Sequence, residues 1–262
     1  MHISHILGLG SIYNMFCSAY IIPNHFLAGG YRFYKTPKSY KIEEYGIPNE
    51  ENLVYFNKYI SSINTDKKIP NWVLQYNNQI NLVNKSTSKR PNFINLFNDN
   101  WVPGKSSYGK YSRGHLVPAG DYELQDKKDT FYLEANIVPQ EVQHNQGIWN
   151  LLESRVRNNI IKYYDEAWIL TGPIFLPYKY GGNKYIKYEI IGDSQIAVPN
   201  YLFKAILYKN IDTLDLDCYL IPNKYIKIND LDYYKLSLID LENKFKYPIF
   251  PLIDKEKINM LS

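Results

Sequence analysis

The sequence predicts a single α+β domain built on antiparallel strands with few helices. Glycine and proline pairs such as Gly172-Pro173 and Gly181-Gly182 bound several β-rich segments. From about Leu53 onward, no internal repeat or low-complexity linker divides the chain. Segments rich in β-branched and aromatic residues predict five strands, at Trp72–Tyr76, Trp168–Thr171, Ile186–Ile191, Tyr201–Tyr208 and Cys218–Ile221.

One helix is clear from the spacing of apolar residues between Gln146 and about Tyr164. Apolar side chains recur there every three or four residues, which is typical of a helix with one buried face. The residues concerned are Trp149, Leu152, Val156, Ile160 and Tyr163. Together with the strands, this helix favours the α+β class.

Size and composition allow one large core and exclude some kinds of site. The chain has 262 residues, of which 45% are hydrophobic and 21% charged, so it is not a disordered polyelectrolyte. Two cysteines, Cys17 and Cys218, provide neither a disulfide framework nor a cysteine-based zinc site. The net charge of +4 is compatible with a polyanionic partner, although a Lys-rich and Asn-rich composition explains it equally well.

Residues 1–31 form an apolar leader, because they contain no Asp, Glu, Lys or Arg. The stretch Ile6 to Ile22 can be a signal peptide, with Cys17-Ser18-Ala19 as a small-residue cleavage site. It can also be an uncleaved membrane anchor or a mitochondrial presequence, although such presequences usually carry Arg and none occurs before Arg32. The structural alternative is a buried N-terminal element. We therefore divide the chain into a leader at 1–31, a domain at 32–255 and a short tail at 256–262.

The chemistry is concentrated between Tyr111 and Arg157. Hydrolysis of a phosphodiester needs a base that works near neutral pH, which suits His115. It also needs positive charge on the developing phosphorane, which suits an arginine and a divalent metal. Gly114 would allow a tight turn, so that His115 projects from a strand end into a cleft.

Asn145, Glu153 and Arg157 are expected to share a helix or its first turn. On an ideal helix, Glu153 lies about 80° and Arg157 about 120° from Asn145, at the edge of the buried face. Polar groups at that edge are either paired or functional, because burying them unpaired is costly. The structural alternative is an ordinary ion pair between Glu153 and Arg157.

The residues also resemble a known family. The run Ser112-Arg113-Gly114-His115, followed by Leu-Val-Pro-Ala-Gly-Asp, is similar to the Asp/Ser-Arg-Gly-His signature of the DNA/RNA non-specific endonucleases. A second block, Asn136-Ile-Val-Pro-Gln and then Asn145-Gln-Gly-Ile-Trp-Asn-Leu-Leu-Glu, matches the same family. The resemblance extends from about Tyr45 to Asp254. It implies a ββα-metal (His-Me finger) fold with a central antiparallel sheet flanked by helices.

The resemblance also implies a role for each matching residue. His115 would be the general base, and Asn145 would be the direct ligand of Mg²⁺, with Mn²⁺ as a possible substitute. Glu153 would hold metal-bound waters, and Asn136 would support the site through hydrogen bonds. Arg113 and Arg157 would contact the phosphate. Ser112 marks a branch of the family in which serine replaces the more common aspartate.

The implied activity is endonucleolytic hydrolysis of DNA and RNA without sequence preference, which leaves 5′-phosphate and 3′-hydroxyl ends. The family implies a homodimer, and the mitochondrion (inner membrane or intermembrane space) as the location. The leader leaves the secretory route and membrane association open. Lys105, Lys110 and Tyr111 precede the signature and could bind substrate, although a solvated loop explains them equally.

Two rival interpretations remain. The chain could be an inactive nucleic-acid-binding module on the same fold, which loss of His115, Asn145 or Glu153 would indicate; all three are present. It could also be a protein that acts through an interface, with a vestigial site.

Overall fold

A computed structural model of the protein describes residues 32–34, 40–83, 89–98, 102–227 and 230–260. The predicted leader, at residues 1–31, lies outside these ranges. Within them, no helix is long and apolar enough to cross a membrane.

The described residues form fourteen strands and six α-helices, with several short 3-10 turns between them. The strands are β1 (Arg32–Tyr34), β2 (Leu53–Tyr55), β3 (Tyr59–Asn64), β4 (Ile69–Asn78), β5 (Ser112–His115), β6 (Ile137–Gln140), β7 (Glu166–Ile174), β8 (Tyr178–Tyr180), β9 (Asn183–Tyr185), β10 (Ile190–Ile191), β11 (Ile196–Ala197), β12 (Tyr201–Lys209), β13 (Leu214–Pro222) and β14 (Ile258–Met260). The helices are α1 (Gln79–Val83), α2 (Leu124–Asp129), α3 (Leu133–Asn136), α4 (Val142–His144), α5 (Asn150–Tyr163) and α6 (Leu238–Phe245).

Eight strands form the main sheet in the order β1-β2-β3-β4-β7-β12-β13-β14. Its pairs are antiparallel except at the two ends, where β1 pairs parallel with β2 and β13 pairs parallel with β14. β14 lies in the predicted C-terminal tail. The α+β class with a central antiparallel sheet is therefore confirmed, and four of the five predicted strands lie in this sheet as β4, β7, β12 and β13.

The main sheet buries both of its faces. Along β12, Leu202 and Ile206 belong to an apolar cluster that contains Leu152, Val156 and Ile160 of α5. The alternate residues Phe203 and Ala205 belong to a second cluster, which contains Leu238, Leu241 and Phe245 of α6. Alternation along the strand therefore assigns one helix to each face.

A smaller unit carries the predicted motif. β5 and β6 pair antiparallel, with Gly114 opposite Val138 and His115 opposite Ile137, and α4 and α5 follow directly. This is the ββα arrangement that the family resemblance implied. It brings the end of β5 and the start of α5, which are far apart in sequence, into one unit.

Two elements differ from the sequence prediction. The helix predicted from Gln146 starts at Asn150, after a π-helical turn at Asn145–Trp149 in which Gly147 has non-helical angles. Tyr163 is 65% exposed and does not belong to the buried face, because it is the last residue of α5. Of the strand predicted at Ile186–Ile191, only β10 forms, and the exposed hairpin of β8 and β9 precedes it.

Candidate active site

A cleft of about 370 Å³ lies between the end of β5 and the start of α5. It contains three of the residues that the motif singled out, His115, Asn145 and Glu153. The full lining is His115, Pro118, Ala119, Asn145, Gln146, Asn150 and Glu153. The ββα unit therefore builds one polar cavity from two sequence blocks.

His115 is the last residue of β5, as expected for a side chain that projects from a strand end. Its ring contacts Phe131 edge-on at a centroid distance of 4.8 Å and Phe93 at 5.6 Å. Burial lowers the pKa of His115 to about 3, and the nearby charge of Arg90 acts in the same direction, against a hydrogen bond to the backbone of Arg113. The imidazole is therefore neutral at neutral pH, the state in which a general base accepts a proton, although a pKa this low makes it a weaker base than a free imidazole.

Gly114 does not form the tight turn that we expected from the sequence. It lies within β5, and its φ is not in the left-handed region. A Cβ atom at this position would lie 1.8 Å from Oε1 and 2.6 Å from Cγ of the buried Gln140 side chain. The glycine is needed for this close approach across the β5–β6 pair.

Asn145 opens the π-helical turn that precedes α5 and is half-buried. The non-helical angles of Gly147 (φ −98°, ψ −106°) interrupt the helix between Asn145 and Glu153. The angle of about 80° expected on an ideal helix therefore does not apply. The interruption nevertheless leaves both side chains on the same cleft.

The charge of Glu153 interacts with that of a buried lysine, Lys204, whose role could not be predicted from the sequence. Lys204 of β12 is 1% exposed and donates hydrogen bonds to Thr171 Oγ1 at 2.7 Å and to the Leu116 carbonyl at 3.3 Å. Burial raises the pKa of Glu153 to about 7; Lys204 opposes this rise, Asp121 adds to it, and Arg157 opposes it. Burial lowers the pKa of Lys204 to about 8, against the attraction of Glu153 and Asp121.

Arg157 pairs with Asp121, not with Glu153 as in the ordinary i,i+4 pair. Its Nε donates to Asp121 Oδ1 at 2.9 Å, and Nη2 lies 2.8 Å from the same oxygen. Asp121 is 5% exposed, and its Oδ2 accepts from Gln75 and Asn77 of β4, each at 3.2 Å. Asp121 is the last residue of the signature run, and its role as a partner of Arg157 was not predicted from the sequence.

Asn136 is fully buried, and both polar atoms of its side chain form hydrogen bonds. Its Nδ2 donates to the Val117 carbonyl at 3.0 Å and to the Thr130 carbonyl at 2.8 Å, while Oδ1 accepts from Val117 N at 2.8 Å. Its own carbonyl accepts from Leu116 N at 3.0 Å. These hydrogen bonds fix the backbone after His115, so Asn136 is a positioning residue and not a group that touches the substrate.

Positive charge flanks His115 on the side of Phe93. The guanidinium carbon of Arg113 lies 4.4 Å from the Phe93 ring centroid, and that of Arg90 lies 5.7 Å from both the Phe93 and Phe131 centroids. Within the described ranges, no carboxylate forms an ion pair with either arginine. The sequence gives no signal for Arg90, because this residue is distant from the motif along the chain.

Two of the predicted substrate residues contact a carboxylate instead. Tyr111 donates its hydroxyl to Glu189 Oε2 at 2.6 Å, and Lys110 Nζ lies 3.3 Å from Glu189 Oε1. The backbone of Lys105 begins a 3-10 turn that ends at Tyr108, and its side chain lies outside the described part of the structure. Glu189 therefore screens the positive charge of Lys110.

The donor set of the cleft fits a hard divalent cation. Asn145 and Glu153 present an amide oxygen and a carboxylate, which are ligands that Mg²⁺ and Mn²⁺ prefer. In the described ranges, no group of three or more His, Cys, Asp or Glu could hold a metal. An ion here would therefore keep several waters, as Mg²⁺ usually does.

One buried polar atom of the cleft lining, His115 Nε2, lacks a hydrogen-bond partner among the described residues. Buried polar groups are normally paired with protein or ordered water. This nitrogen is therefore available to a water or a ligand in the cleft.

Comparison with known proteins agrees with the geometry. The sequence model of the DNA/RNA non-specific endonuclease family matches residues 38–254. Nuclease EXOG, mitochondrial, from Xenopus laevis is 32% identical over 232 residues, which cover 82% of this chain and 63% of that protein. Endonuclease G, mitochondrial, from Caenorhabditis elegans is 28% identical over 235 residues, which cover 84% of this chain and 75% of that protein.

The fold has a solved counterpart. A chain in the crystal structure of the EndoG/EndoGI complex superposes with a TM-score of 0.78 at 27% identity, covering 84% of this chain and 94% of that chain. The chain spans less than two thirds of the length of the EXOG protein from Xenopus laevis. The family match nevertheless covers most of the sequence, and both sequence blocks of the cleft lie inside it. The chain belongs to the DNA/RNA non-specific endonuclease family.

Proposed function

We propose that this protein is a metal-dependent endonuclease that hydrolyses phosphodiester bonds in DNA and RNA without sequence preference and leaves 5′-phosphate and 3′-hydroxyl ends. One observation carries the proposal: a neutral histidine, an amide oxygen and a carboxylate line the same cleft. Family membership supports the same activity. Nothing in the lining selects a particular base, because the cleft offers groups suited to a phosphate.

His115 is the general base. Its neutral imidazole takes a proton from the attacking water, and the phenylalanine rings on two sides restrict its orientation. The bonds of Asn136 fix the backbone at Leu116 and Val117, directly after His115. Rigid support of this kind keeps the base within reach of the water.

Asn145 and Glu153 would hold Mg²⁺, or Mn²⁺ in its place, Asn145 directly and Glu153 through water. When bound, the ion would neutralise charge on the phosphate and on the leaving oxygen. Arg113 and Arg90 place further positive charge beside His115 and would bind the phosphate. Asp121 orients Arg157, whose guanidinium would stabilise the charge that develops in the transition state.

Location and assembly are proposed from the relatives alone. Several matching proteins are named as mitochondrial nucleases, so we place this protein in the mitochondrion, in the inner membrane or intermembrane space, with the secretory route as the alternative. A homodimer and membrane association through residues 1–31 remain predictions. The rival function is an inactive nucleic-acid-binding module on the same fold.

The test uses the full chain with supercoiled plasmid and with single-stranded RNA, each in Mg²⁺ and in chelator. The variants are His115→Ala and Asn145→Ala, with Asn158→Ala as the control, because Asn158 is an exposed asparagine of α5 that does not line the cleft. Removing the general base should lower the rate about 10²- to 10⁴-fold. Asn158→Ala should cut like the parent.

Cleavage of both substrates that requires metal and His115 would support the proposal, and 5′-labelled products would identify the ends. A folded parent protein that binds nucleic acid but does not cut it in Mg²⁺ or Mn²⁺ would favour the binding module. Metal-independent cleavage, unchanged in Asn145→Ala, would exclude the proposed role of that residue.

A further inference from the structure

Lys204 is a buried charge in a strand face that is otherwise apolar. It lies near the centre of β12, and its neighbours on the same face of the strand, Leu202 and Ile206, are fully buried. Lysine is rarely buried to this extent unless it is paired. Its burial therefore needs an explanation in the residues around it.

Three contacts fix the ammonium group. Thr171, directly opposite on β7, accepts at 2.7 Å, and the Leu116 carbonyl accepts at 3.3 Å. The Trp149 ring centroid lies 5.1 Å from Nζ. These contacts join Lys204 to three parts of the site: the sheet, the residue after His115, and the turn that leads from Asn145 into α5.

Two carboxylates act on the ammonium through their charge, Glu153 from α5 and Asp121 from the turn after β5, and neither forms an ion pair with it within 4.0 Å among the described residues. Asp121 is already bonded to Arg157. In the described residues, Glu153 has no ion pair of its own, and Lys204 is the strongest of the charges that favour its ionised form. We therefore expect the positive charge of Lys204 to stabilise the Glu153 carboxylate more than that of Asp121.

We propose that Lys204 is a positioning residue of this nuclease: its buried ammonium tethers the backbone after His115 and supplies the counter-charge that holds the Glu153 carboxylate at the cleft. The inference rests on the proposed function, because it assigns a role within the same site. Lys204 does not line the cleft, so it acts through Leu116 and Glu153 and does not touch the substrate.

The first test needs no metal and no activity. Thermal unfolding is measured in chelator for the parent, Lys204→Met, Glu153→Gln and the double variant. If the two charges are coupled, Lys204→Met should lower Tm less in the Glu153→Gln background than in the parent. The two decreases in Tm should differ by about 2 °C or more. If the decrease in Tm of the double variant equals the sum of the two single decreases, Lys204 does not act as the counter-charge of Glu153.

The second test measures kinetics on plasmid in Mg²⁺. Lys204→Met should lower kcat about 10- to 100-fold, a loss typical of residues that support metal-site groups. KM should stay close to that of the parent, because the side chain cannot reach the substrate. A kcat equal to that of the parent would overturn the positioning role.

Ile206→Met is the matched control, since Ile206 lies two residues along the same face of β12 and has no polar contact with the cleft. It should leave kcat unchanged and show no coupling to Glu153→Gln. If Lys204→Met does not fold, recovery by the double variant would support the proposal, and failure of both would overturn it. A parent without nuclease activity would refute the proposed function, yet the metal-free cycle would still decide whether Lys204 and Glu153 are coupled.

Discussion

Arg157 and Asp121 form a charged pair in which two guanidinium nitrogens, Nε at 2.9 Å and Nη2 at 2.8 Å, share the carboxylate oxygen Oδ1. Asp121 is itself held by Gln75 and Asn77 of the main sheet. The arginine that we propose for the phosphate is therefore oriented from the sheet, through an aspartate of the signature run.

Asp121→Asn should lower activity by removing the charge that orients Arg157. Since a displacement of about 1 Å at a reacting group can cost about 100-fold, we expect a loss in kcat of that order. Plasmid nicking in Mg²⁺ measures the effect. Arg155→Ala is the control, because Arg155 also lies on α5 but pairs with Asp232, at 2.8 Å. Equal losses in both variants would contradict the orienting role.

Two asparagines of the motif should respond in opposite ways. Asn136→Ala leaves polar groups of Val117 and Thr130 unpaired, and each such buried group costs about 1–3 kcal/mol in the free energy of unfolding. Asn145 is half-buried and lines the cleft, so Asn145→Ala should lower activity with little change in stability. Urea unfolding and plasmid nicking of both variants test this contrast. A stable but inactive Asn136→Ala would contradict it.

Gly114→Ala should destabilise the β5–β6 pair, because a Cβ atom would overlap the buried side chain of Gln140. Overpacking of this kind costs about 1–3 kcal/mol in the free energy of unfolding. Gln140→Ala in the same chain should recover part of the loss, since it removes the overlapping atoms. No recovery in the double variant, measured by urea unfolding, would show that the strain has another source.

The local part of the site could be predicted from the sequence, and the long-range part could not. His115, Asn145 and Glu153 lie in two short sequence blocks, and the resemblance of both blocks to one family implied that the three residues share a site. Lys204 lies in a predicted strand, but alternation alone does not show that this lysine faces the site. Its role depends on the pairing of β12 with β7, which places Thr171 beside it.

Local geometry also limited the prediction in two places. Gly114 suggested a turn, yet its function is to admit Gln140, which belongs to the partner strand. The angular relation between Asn145 and Glu153 assumed a continuous helix, and the angles of Gly147 interrupt it. In both cases the decisive contact or angle is set by tertiary packing and not by the residue type.

The stability of the protein should depend on pH through His115. Its pKa is about 3 in the folded protein and 6.5 in the unfolded chain, so the unfolded chain binds the extra proton. The stability that the neutral imidazole contributes is therefore present above pH 6.5 and is lost as pH falls towards 3. Between pH 8 and pH 5 the loss would be at most about 2 kcal/mol, since one pKa unit corresponds to about 1.4 kcal/mol.

Urea unfolding in chelator at pH 5 and pH 8 tests this, for the parent and for His115→Gln. The stability of the parent relative to the variant should be lower at pH 5. The comparison with the variant is necessary because Glu153, whose raised pKa is about 7, contributes with the opposite sign over the same range. If the difference in the free energy of unfolding between parent and variant is the same at pH 5 and pH 8, the pKa of His115 is not lowered in the folded protein.

Glu189→Gln should strengthen binding of nucleic acid, because it removes the negative charge that pairs with Lys110. The Glu189 carboxylate also accepts a hydrogen bond from Tyr111. A lysine freed to contact one more phosphate steepens the dependence of log K on log salt by about 0.9 for duplex DNA. Binding of a DNA duplex in chelator, measured over a range of salt concentrations, gives this slope without cleavage. Glu51→Gln, at an exposed glutamate elsewhere on the domain, is the control. If the slope is the same in both variants, Lys110 does not contact the backbone of the substrate, and the segment before β5 is a solvated loop.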